Sequence, residues 1–435
     1  GGFGDNDADF SFVNGETMQE RFANVPAAIE NTQKIADMCN VTFTLGEWKF
    51  PNYIIESGRT ADDEFRTLAY EGVERRNYNF TPEAKERLEY ELSIIAKKGY
   101  ATYFLVVADL LRVARERGIL TTIRGSVAGS LATYLTGITN VDPLEYKLPF
   151  ERFLNPDRPS APDIDMDYAD NRRDEMITYA REKYGADKVA QIGTFGTMLA
   201  RGSVRDAARA LGYDVGTADG IAKLIPLGSQ GFPMTIDRAL REESELKRMY
   251  ENDDDARRII DMAKKIEGCA RHISVHAAGV VISPIPLIEL VPLQFDTKGE
   301  EKLITQFDMH AVGEDNVGLL KFDFLGIRNL AILADAVKRM KKIYNIDIDI
   351  ENIPLDDPKT FAMLARGETE GLFQLNGSGM TKFLVELKPT TIHDINAMVA
   401  LYRPGPIEMI PEYVARKHDA SKIRFLDERM KSILD

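Results

Sequence analysis

Helical spacing of apolar residues, bounded by capping residues, predicts long helices in the first third of the chain. Thr81 has the chemistry of an N-cap and Pro82 that of a first helical residue, and the apolar pattern continues to about Lys98. Gly99 ends this helix, since glycine accepts the left-handed conformation that closes many helices. A second helix is predicted over 103–117.

Short apolar runs typical of β-strands alternate with helical patterns from residue 119 onward. Strands are predicted at 119–122, 162–168, 189–192, 279–283 and 319–324, and helices at 127–135 and 173–184. The segment from Gly196 to about Ile266 is almost wholly helical, and 327–435 is helical again. We therefore predict an α+β fold in which a helical unit is inserted into a sheet domain.

Composition and charge narrow the class of protein. The length of 435 residues corresponds to roughly two to four domains. With 44% hydrophobic and 29% charged residues, the chain is globular and not disordered, collagen-like or disulfide-rich. The net charge of -14 argues against a protein that binds nucleic acid by bulk positive charge. A polyanionic partner would have to be held by local basic patches.

The sequence also suggests a cellular compartment. Cys39 and Cys269 are too few for a disulfide framework, so a reducing compartment is expected. No run approaches the roughly 18 apolar residues of a membrane span, and the amino terminus lacks the apolar core of a signal peptide. We expect a soluble cytoplasmic protein. The chain has no initiator methionine, and we expect it to be a piece of a longer protein.

The segment from Ala161 to Tyr168 is the most informative part of the sequence for chemistry. In a strand, alternate side chains share a face, so Asp163, Asp165 and Asp167 point the same way. Three carboxylates on one face repel one another, and aspartate is disfavoured in strands, so a compensating cation is expected. Mg²⁺, which prefers oxygen ligands, fits. A solvated acidic edge strand would explain the residues without a metal, and paired aspartates occur in several unrelated enzyme classes.

A further acidic position lies in the apolar run from Gly318 to Gly326. Lys321 and Asp323 share one face of the predicted strand, with phenylalanines on the other. An aspartate near a strand end is often a helix cap or a turn residue. Together with the acidic strand, however, Asp323 completes the carboxylate set that a two-metal phosphoryl-transfer site requires.

A Gly/Ser-rich segment, 122–132, follows a predicted strand and begins a helix. Backbone N–H groups and the helix dipole at such a place can hold a phosphate group, and Arg124 adds a bidentate donor. The segment lacks the Gly-Lys-Ser/Thr ending of a Walker A loop. Its small residues could equally serve tight helix packing.

Two groups of residues near the helical insertion carry weaker signals. Arg201, Arg205 and Arg209 recur every four residues on a predicted helix and form one basic stripe. Such a stripe is usually a solvated face, and contact with nucleic-acid phosphates is the functional alternative. Cys269, His272 and His276 have a spacing compatible with zinc, but no fourth cysteine or histidine lies nearby to complete a site.

Long motifs in register resemble the alpha subunits of bacterial DNA polymerase III, the C family of replicative polymerases. They are KGYATYFL at 98–105, RGSVAGS at 124–130, PFERFLNP at 149–156, PDIDMD at 162–167, QIGTFG at 191–196, HAAGVVI at 276–282, LKFDFLG at 320–326, GLFQL at 371–375 and LYRPGP at 401–406. The resemblance covers nearly the whole chain, with only the first dozen or so residues indistinct.

The resemblance implies a domain organisation. It implies a palm of the polymerase-beta type of nucleotidyltransferase, with a helical thumb inserted in it, followed by a partial, mainly helical fingers domain. The implied bounds are 46–194 and 271–326 for the palm, 195–270 for the thumb and 327–435 for the beginning of the fingers. Residues 1–45 would be an acidic lead-in and the end of a preceding PHP domain.

The resemblance also implies roles for individual residues. Asp163, Asp165 and Asp323 match the catalytic metal ligands, with Asp167 in reserve if the assignment is one pair out of step. The positions that match contacts to the incoming triphosphate are Gly125, Ser126, Arg152, Lys321 and Arg124. Ile123 departs from the family pattern, which usually has glycine before this arginine. The stripe of Arg201, Arg205 and Arg209 would contact DNA phosphates from the thumb.

The implied function is template-directed DNA synthesis in chromosomal replication. Two Mg²⁺ ions, with Mn²⁺ as a substitute, would serve the transfer of a nucleotide from a deoxynucleoside triphosphate to a primer on template DNA. A sliding clamp and other replisome subunits would bind through parts outside this chain, which alone should be poorly active. A non-catalytic nucleic-acid or replisome-assembly module and a metal-dependent glycosyltransferase are the alternatives.

Overall fold

The strands of the computed structural model assemble into one mixed sheet. They are β1 (Thr121–Arg124), β2 (Asp165–Ala169), β3 (Val189–Thr197), β4 (Ala270–Ile282), β5 (Leu293–Phe295), β6 (Leu303–Thr305) and β7 (Lys321–Ile327). Their order across the sheet is β1-β2-β7-β4-β3-β6-β5. The structure describes residues 11–158, 161–228, 233–296, 302–313 and 315–434. The start of the predicted acidic lead-in, residues 1–10, lies outside the described residues.

Three strands at one side of the sheet bring distant segments together. β2 and β7 run parallel, with Asp165 opposite Asp323. β1 is antiparallel to β2 and forms the edge, with Arg124 opposite Asp165. The end of β1 and the beginnings of β2 and β7 therefore lie at the same end of the sheet.

Helices and sheet share one main hydrophobic core. The helices that contribute to it are α3 (Ala61–Arg75), α4 (Pro82–Lys98), α5 (Ala101–Glu116), α6 (Leu131–Leu135) and α7 (Arg173–Tyr184), after α1 (Gly15–Arg21) and α2 (Pro26–Met38), which bury no residue. The predicted caps of α4 are confirmed, since the Thr81 side chain accepts a hydrogen bond from the Ala84 N–H and Gly99 has a φ of 74°. In α5, Tyr103 packs on Phe322 of β7 with ring centroids 5.1 Å apart.

A helical unit is inserted between β3 and β4, as predicted. It consists of α8 (Ala200–Ala210), α9 (Val215–Leu224), α10 (Ile236–Glu242), α11 (Ser244–Asn252) and α12 (Asp254–Ile266). These helices bury a hydrophobic cluster of their own, separate from the main core.

The two strands that flank the insertion are longer than predicted. β3 continues to Thr197 rather than ending at Ile192, and β4 begins at Ala270 rather than Gly279. The outer parts of both strands, 194–197 and 270–277, contain no buried residue and include Gly, Thr and His, so no buried apolar alternation marks them. Antiparallel pairing of the two backbones forms them instead.

The carboxyl-terminal part is helical, as predicted. Its helices are α14 (Arg328–Tyr344), α15 (Pro358–Ala365), α16 (Ser378–Leu387), α17 (Ile392–Leu401), α18 (Ile410–His418) and α19 (Lys431–Leu434), and the short α13 (Met309–Val312) precedes β7. α14 continues directly from β7, and α16 to α18 enclose a small core that includes Leu384 and Met398. None of the described helices has the length and apolarity needed to cross a lipid bilayer.

Candidate metal and nucleotide site

Three aspartates from two parallel strands form a compact carboxylate group. Asp165 begins β2, Asp163 precedes it by two residues, and Asp323 lies opposite Asp165 on β7. One carboxylate oxygen of each aspartate lies within 4.8 Å of those of the other two. The family resemblance implied these three residues as one set, and the pairing of β2 with β7 brings them together.

Burial changes steeply across the carboxylate group. The side chain of Asp163 is 71% exposed, whereas that of Asp323 is only 5% exposed. The Oδ1 atom of Asp323 is buried and has no hydrogen-bond partner among the described residues. A buried carboxylate oxygen without a partner is costly. Three carboxylates that leave such an oxygen unsatisfied fit a divalent cation with oxygen preference, such as Mg²⁺.

Lys321 lies between the carboxylates. Its Nζ is 2.6 Å from Asp323 Oδ2 and 3.8 Å from Asp163 Oδ1. Burial acts to lower the pKa of Lys321, but its hydrogen bond to Asp323 and the charges of the other aspartates leave that pKa raised. The ammonium group therefore remains charged and offsets part of the negative charge of the group.

The carboxylates repel one another. The pKa of Asp165 is raised, first by burial of its carboxyl group and then by the charges of Asp163 and Asp323. The folded chain therefore binds a proton at Asp165 more tightly than the unfolded chain does. In the absence of a cation, this carboxylate works against folding above its raised pKa.

Replacing Asp165 by Asn is expected to raise the melting temperature of the metal-free chain at about pH 7, because one of three repelling charges is removed. The raised pKa means that repulsion is relieved as the pH falls through it, so the gain should shrink toward about pH 4. Thermal unfolding in chelator-containing buffer measures the difference. Asp170→Asn, at an exposed position just after β2, controls for net charge. A gain that is the same at every pH would contradict the explanation.

Asp167, the reserve ligand, is engaged elsewhere. Its side chain is fully buried, and both of its oxygens accept hydrogen bonds from Arg124 of β1, with Nη2 to Oδ1 at 2.9 Å. The hydrogen bond to Asp167 raises the pKa of Arg124. Asp167 is thus neutralised by Arg124 and lies outside the three-carboxylate group. The guanidinium of Arg124, predicted to reach a phosphate, is held by Asp167, and its side chain is 37% exposed.

The Gly/Ser loop follows β1 directly. Gly125 has a φ of 102° and a ψ of -167°, a backbone conformation that a residue with a Cβ rarely adopts. Ser126 then begins a 3₁₀ turn, Ser126–Gly129, and both Gly125 and Ser126 are exposed. Because Arg124 pairs with Asp165 across the strands, this loop leaves the sheet beside the carboxylate group.

The helix after this loop differs from the prediction of a free phosphate-binding terminus. The predicted helix 127–135 is divided into the 3₁₀ turn and α6. The first N–H groups of α6, at Leu131 and Ala132, donate to the buried carboxylate of Glu91 at 3.0 and 2.9 Å. An internal carboxylate therefore occupies the helix terminus, and the exposed backbone of Gly125 and Ser126 is the part left for a ligand.

Arg152 is exposed and uncommitted. It ends the 3₁₀ turn Phe150–Arg152 and makes no ion pair or hydrogen bond within the described part of the chain. This turn packs against the Gly/Ser loop, where a Cβ on Gly129 would come within 2.7 Å of the Pro149 carbonyl oxygen. Arg152 is therefore the candidate triphosphate ligand that can move toward a ligand without breaking an internal contact.

The arginine stripe lies on α8 of the helical insertion. Arg201 donates from Nε to the Ile225 carbonyl at 2.6 Å, and Arg205 pairs with Asp219 at 2.6 Å. Arg209 pairs with Asp206 at 2.7 Å and has a side chain that is 75% exposed. All three side chains thus have partners inside the insertion, and those of Arg205 and Arg209 remain accessible.

Comparison with known proteins identifies the family. A model described as the bacterial DNA polymerase III alpha NTPase domain matches residues 63–326, and one described as the finger domain of the same subunit matches residues 329–435. The chain is 46% identical to the DNA polymerase III subunit alpha of Halalkalibacterium halodurans, over 98% of this chain and 38% of that protein. It is 43% identical to that of Bacillus subtilis, over 97% and 37% of the two chains, and 41% identical to that of Escherichia coli, over 97% and 38%.

These relatives extend well beyond this sequence. The chain spans about 38% of the length of the curated relatives it matches. The family models and the relatives agree over nearly all of the chain, including the strands that carry the three carboxylates. The chain belongs to the family of bacterial DNA polymerase III alpha subunits.

Proposed function

We propose that the complete protein carries out template-directed DNA synthesis, transferring a deoxynucleoside monophosphate from its triphosphate to a primer 3′-hydroxyl. The observation that carries the proposal is the group of Asp163, Asp165 and Asp323, with an unsatisfied buried oxygen beside an exposed Gly/Ser loop. Phosphoryl transfer needs little covalent chemistry from the protein, so positioning and charge stabilisation are the main requirements.

The proposed roles follow from exposure and charge. Asp163, Asp165 and Asp323 would hold two Mg²⁺ ions, which, when bound, lower the pKa of the attacking hydroxyl and offset charge on the departing pyrophosphate. Mn²⁺ would be a substitute. The groups proposed to bind the triphosphate are the backbone of Gly125 and Ser126 and the side chains of Arg152, Lys321 and Arg124. Of these, Arg124 is held by Asp167 and so supports the edge strand as well.

The proposed domains follow the fold. The sheet and its helices, 46–194 and 271–326, would be the palm, the insertion 195–270 the thumb, and 327–435 the beginning of the fingers. Residues 1–45 would end a PHP domain. The main core, the separate core of the insertion and the small carboxyl-terminal core support this division.

Primer-template DNA and deoxynucleoside triphosphates are the proposed substrates, and the bacterial cytoplasm is the proposed location. A sliding clamp and other replisome subunits would bind through parts outside this chain. The test is extension of a labelled primer on template DNA by the full-length protein with Mg²⁺ and the four deoxynucleoside triphosphates. Template-dependent extension is expected from the full-length protein, and little from this chain alone, because the chain spans only about 38% of the length of its relatives. Absence of extension by the full-length protein would contradict the proposal.

Replacing Arg205 and Arg209 by Gln in the full-length protein is expected to weaken DNA binding about equally for all sequences, because phosphate contacts carry no base information. The slope of log affinity against log salt should fall by about 0.9 for each lost contact. Fluorescence anisotropy at several salt concentrations measures both. Arg238→Gln is the matched control, since Arg238 pairs with Glu242 at 2.7 Å on the same insertion. An unchanged slope, or an equal loss in the control, would contradict the assignment.

A further inference from the structure

A fully buried glutamate lies on the core face of α4. The neighbouring core positions of this helix are Leu88, Leu92 and Ile95, yet Glu91 is 0% exposed. All of its partners are hydrogen-bond donors. Oε1 accepts from Arg87 Nε at 2.6 Å and from the Leu131 N–H at 3.0 Å, and Oε2 accepts from Ser130 Oγ at 2.8 Å and from the Ala132 N–H at 2.9 Å.

Arg87 extends this network to a second segment. While its Nε pairs with Glu91, its Nη2 donates to the carbonyl oxygens of Gly129 at 2.8 Å and Leu148 at 3.0 Å. Gly129 ends the 3₁₀ turn of the Gly/Ser loop, and Leu148 lies just before the turn that carries Arg152. One ion pair on α4 therefore joins the loop and the Arg152 segment by their backbones.

From these contacts we propose that Glu91 and Arg87 are a positioning pair for nucleotide binding. They fix the Gly125–Ser126 backbone and the Arg152 side chain at one separation, so that both meet the same triphosphate. The inference rests on the proposed function, and neither residue touches the nucleotide. Both residues act through the segments that they hold.

The chemistry favours this role over simple core filling. A buried ion pair is often no more stabilising than apolar residues of similar volume, so filling the core does not by itself require a glutamate at this position. The Glu91 carboxylate instead supplies directional hydrogen bonds. Its hydrogen bonds with Arg87, Ser130 and the first N–H groups of α6 set the orientation of the loop, which apolar packing does not do.

The test is Glu91→Gln in the full-length polymerase. A glutamine amide has one oxygen and one NH₂ group, so at least one N–H partner, at Leu131 or Ala132, loses its acceptor. We expect the KM for the deoxynucleoside triphosphate to rise about tenfold or more, the size typical of losing an outer-shell partner, while kcat falls less. DNA affinity should stay within about twofold of the wild type. Steady-state primer extension and DNA-binding anisotropy measure these.

Asp109→Asn is the matched control. Asp109 is also a buried carboxylate in the main core, and it accepts from Arg112 at 2.8 Å and from the Tyr179 hydroxyl at 2.8 Å. It makes no hydrogen bond to the loop or to the Arg152 segment, so this variant should lower the melting temperature without raising the KM. An equal rise in KM for Asp109→Asn, or a lower melting temperature with unchanged KM for Glu91→Gln, would overturn the proposal.

Arg87→Lys is a second test of the positioning role if Glu91→Gln does not fold. The Arg87 side chain is 21% exposed, and lysine retains one charge but not the guanidinium that binds Glu91 through Nε and both carbonyl oxygens through Nη2. A raised KM is expected, and an unchanged KM would overturn the proposal. Binding of a non-hydrolysable triphosphate analogue separates a failure of the proposed function from a failure of the proposed positioning role. Wild type that binds the analogue but does not extend a primer contradicts the proposed function, whereas equal analogue binding by wild type and Glu91→Gln contradicts the positioning role.

Discussion

Replacing Asp323 by Asn in the full-length protein is expected to reduce primer extension by about 10³-fold or more while DNA binding is retained. Asp323 is the most buried member of the carboxylate group, and its Oδ1 has no other partner among the described residues. An amide removes a negative charge from the place where the proposed cations would be held. A loss of about 1.4 kcal/mol of transition-state stabilisation lowers the rate tenfold. Single-turnover nucleotide incorporation and DNA-binding anisotropy measure the two effects.

The control for this variant is again Asp109→Asn, a buried carboxylate that lies outside the three-carboxylate group. It should retain incorporation within a few fold when the protein is folded. Mg²⁺-dependent thermal stabilisation should be lost in Asp323→Asn and retained in Asp109→Asn. Incorporation by Asp323→Asn at close to the wild-type rate would contradict the proposed role of Asp323 as a metal ligand.

The alternation of Asp163, Asp165 and Asp167 in the sequence predicted a strand over 162–168, and the observed strand β2 contains Asp165 and Asp167 but begins two residues after Asp163. It could not tell which of them share a site, because that depends on neighbouring strands. Asp165 faces Asp323 across β2 and β7, whereas Asp167 is bound by Arg124 of β1. Strand order and register bring these partners together, and they involve residues too far apart in sequence for local patterns to report.

The periodicity of apolar residues also explains why the helices of the insertion were predicted correctly whereas the lengths of the flanking strands β3 and β4 were not. The helices were predictable because their buried positions repeat at helical spacing, as at Val204, Ala207 and Ala208 of α8. The outer parts of β3 and β4 have no such repeat, since none of their residues is buried. Their backbones nevertheless pair, and a strand of this kind is formed by its partner rather than by its own side chains.

The helical spacing of apolar residues in α4 also places Glu91 at a core position. Ala84, Leu88 and Ile95 follow helical spacing, and Glu91 occupies the same core face. A charged residue at a core position requires partners, which makes it a candidate for a defined role. The identity of those partners, the terminus of α6 and the backbone near Arg152, required the fold.

Replacing Arg124 by Met is expected to lower the free energy of unfolding by about 2–4 kcal/mol, because the buried Asp167 carboxylate would lose its partner. The lower end applies if water enters beside Met, since the Arg124 side chain is 37% exposed whereas that of Asp167 is 0% exposed. Arg152→Met, which breaks no internal contact, should leave stability nearly unchanged and raise the KM for the deoxynucleoside triphosphate. Urea unfolding and primer-extension kinetics therefore separate the two arginines.

The double variant Arg124→Met/Asp167→Leu supplies the decisive comparison. Replacing both members of a buried ion pair by apolar residues is often close to neutral, so the double variant should recover most of the stability that Arg124→Met loses. If the only role of Arg124 is to neutralise Asp167 and so stabilise the edge strand β1, the double variant should also bind the triphosphate as the wild type does. A recovered fold with a KM that is still raised about tenfold would instead assign the Arg124 guanidinium a direct contact with the phosphates. Failure of the double variant to regain stability would contradict the view that Asp167 is present to be neutralised by Arg124.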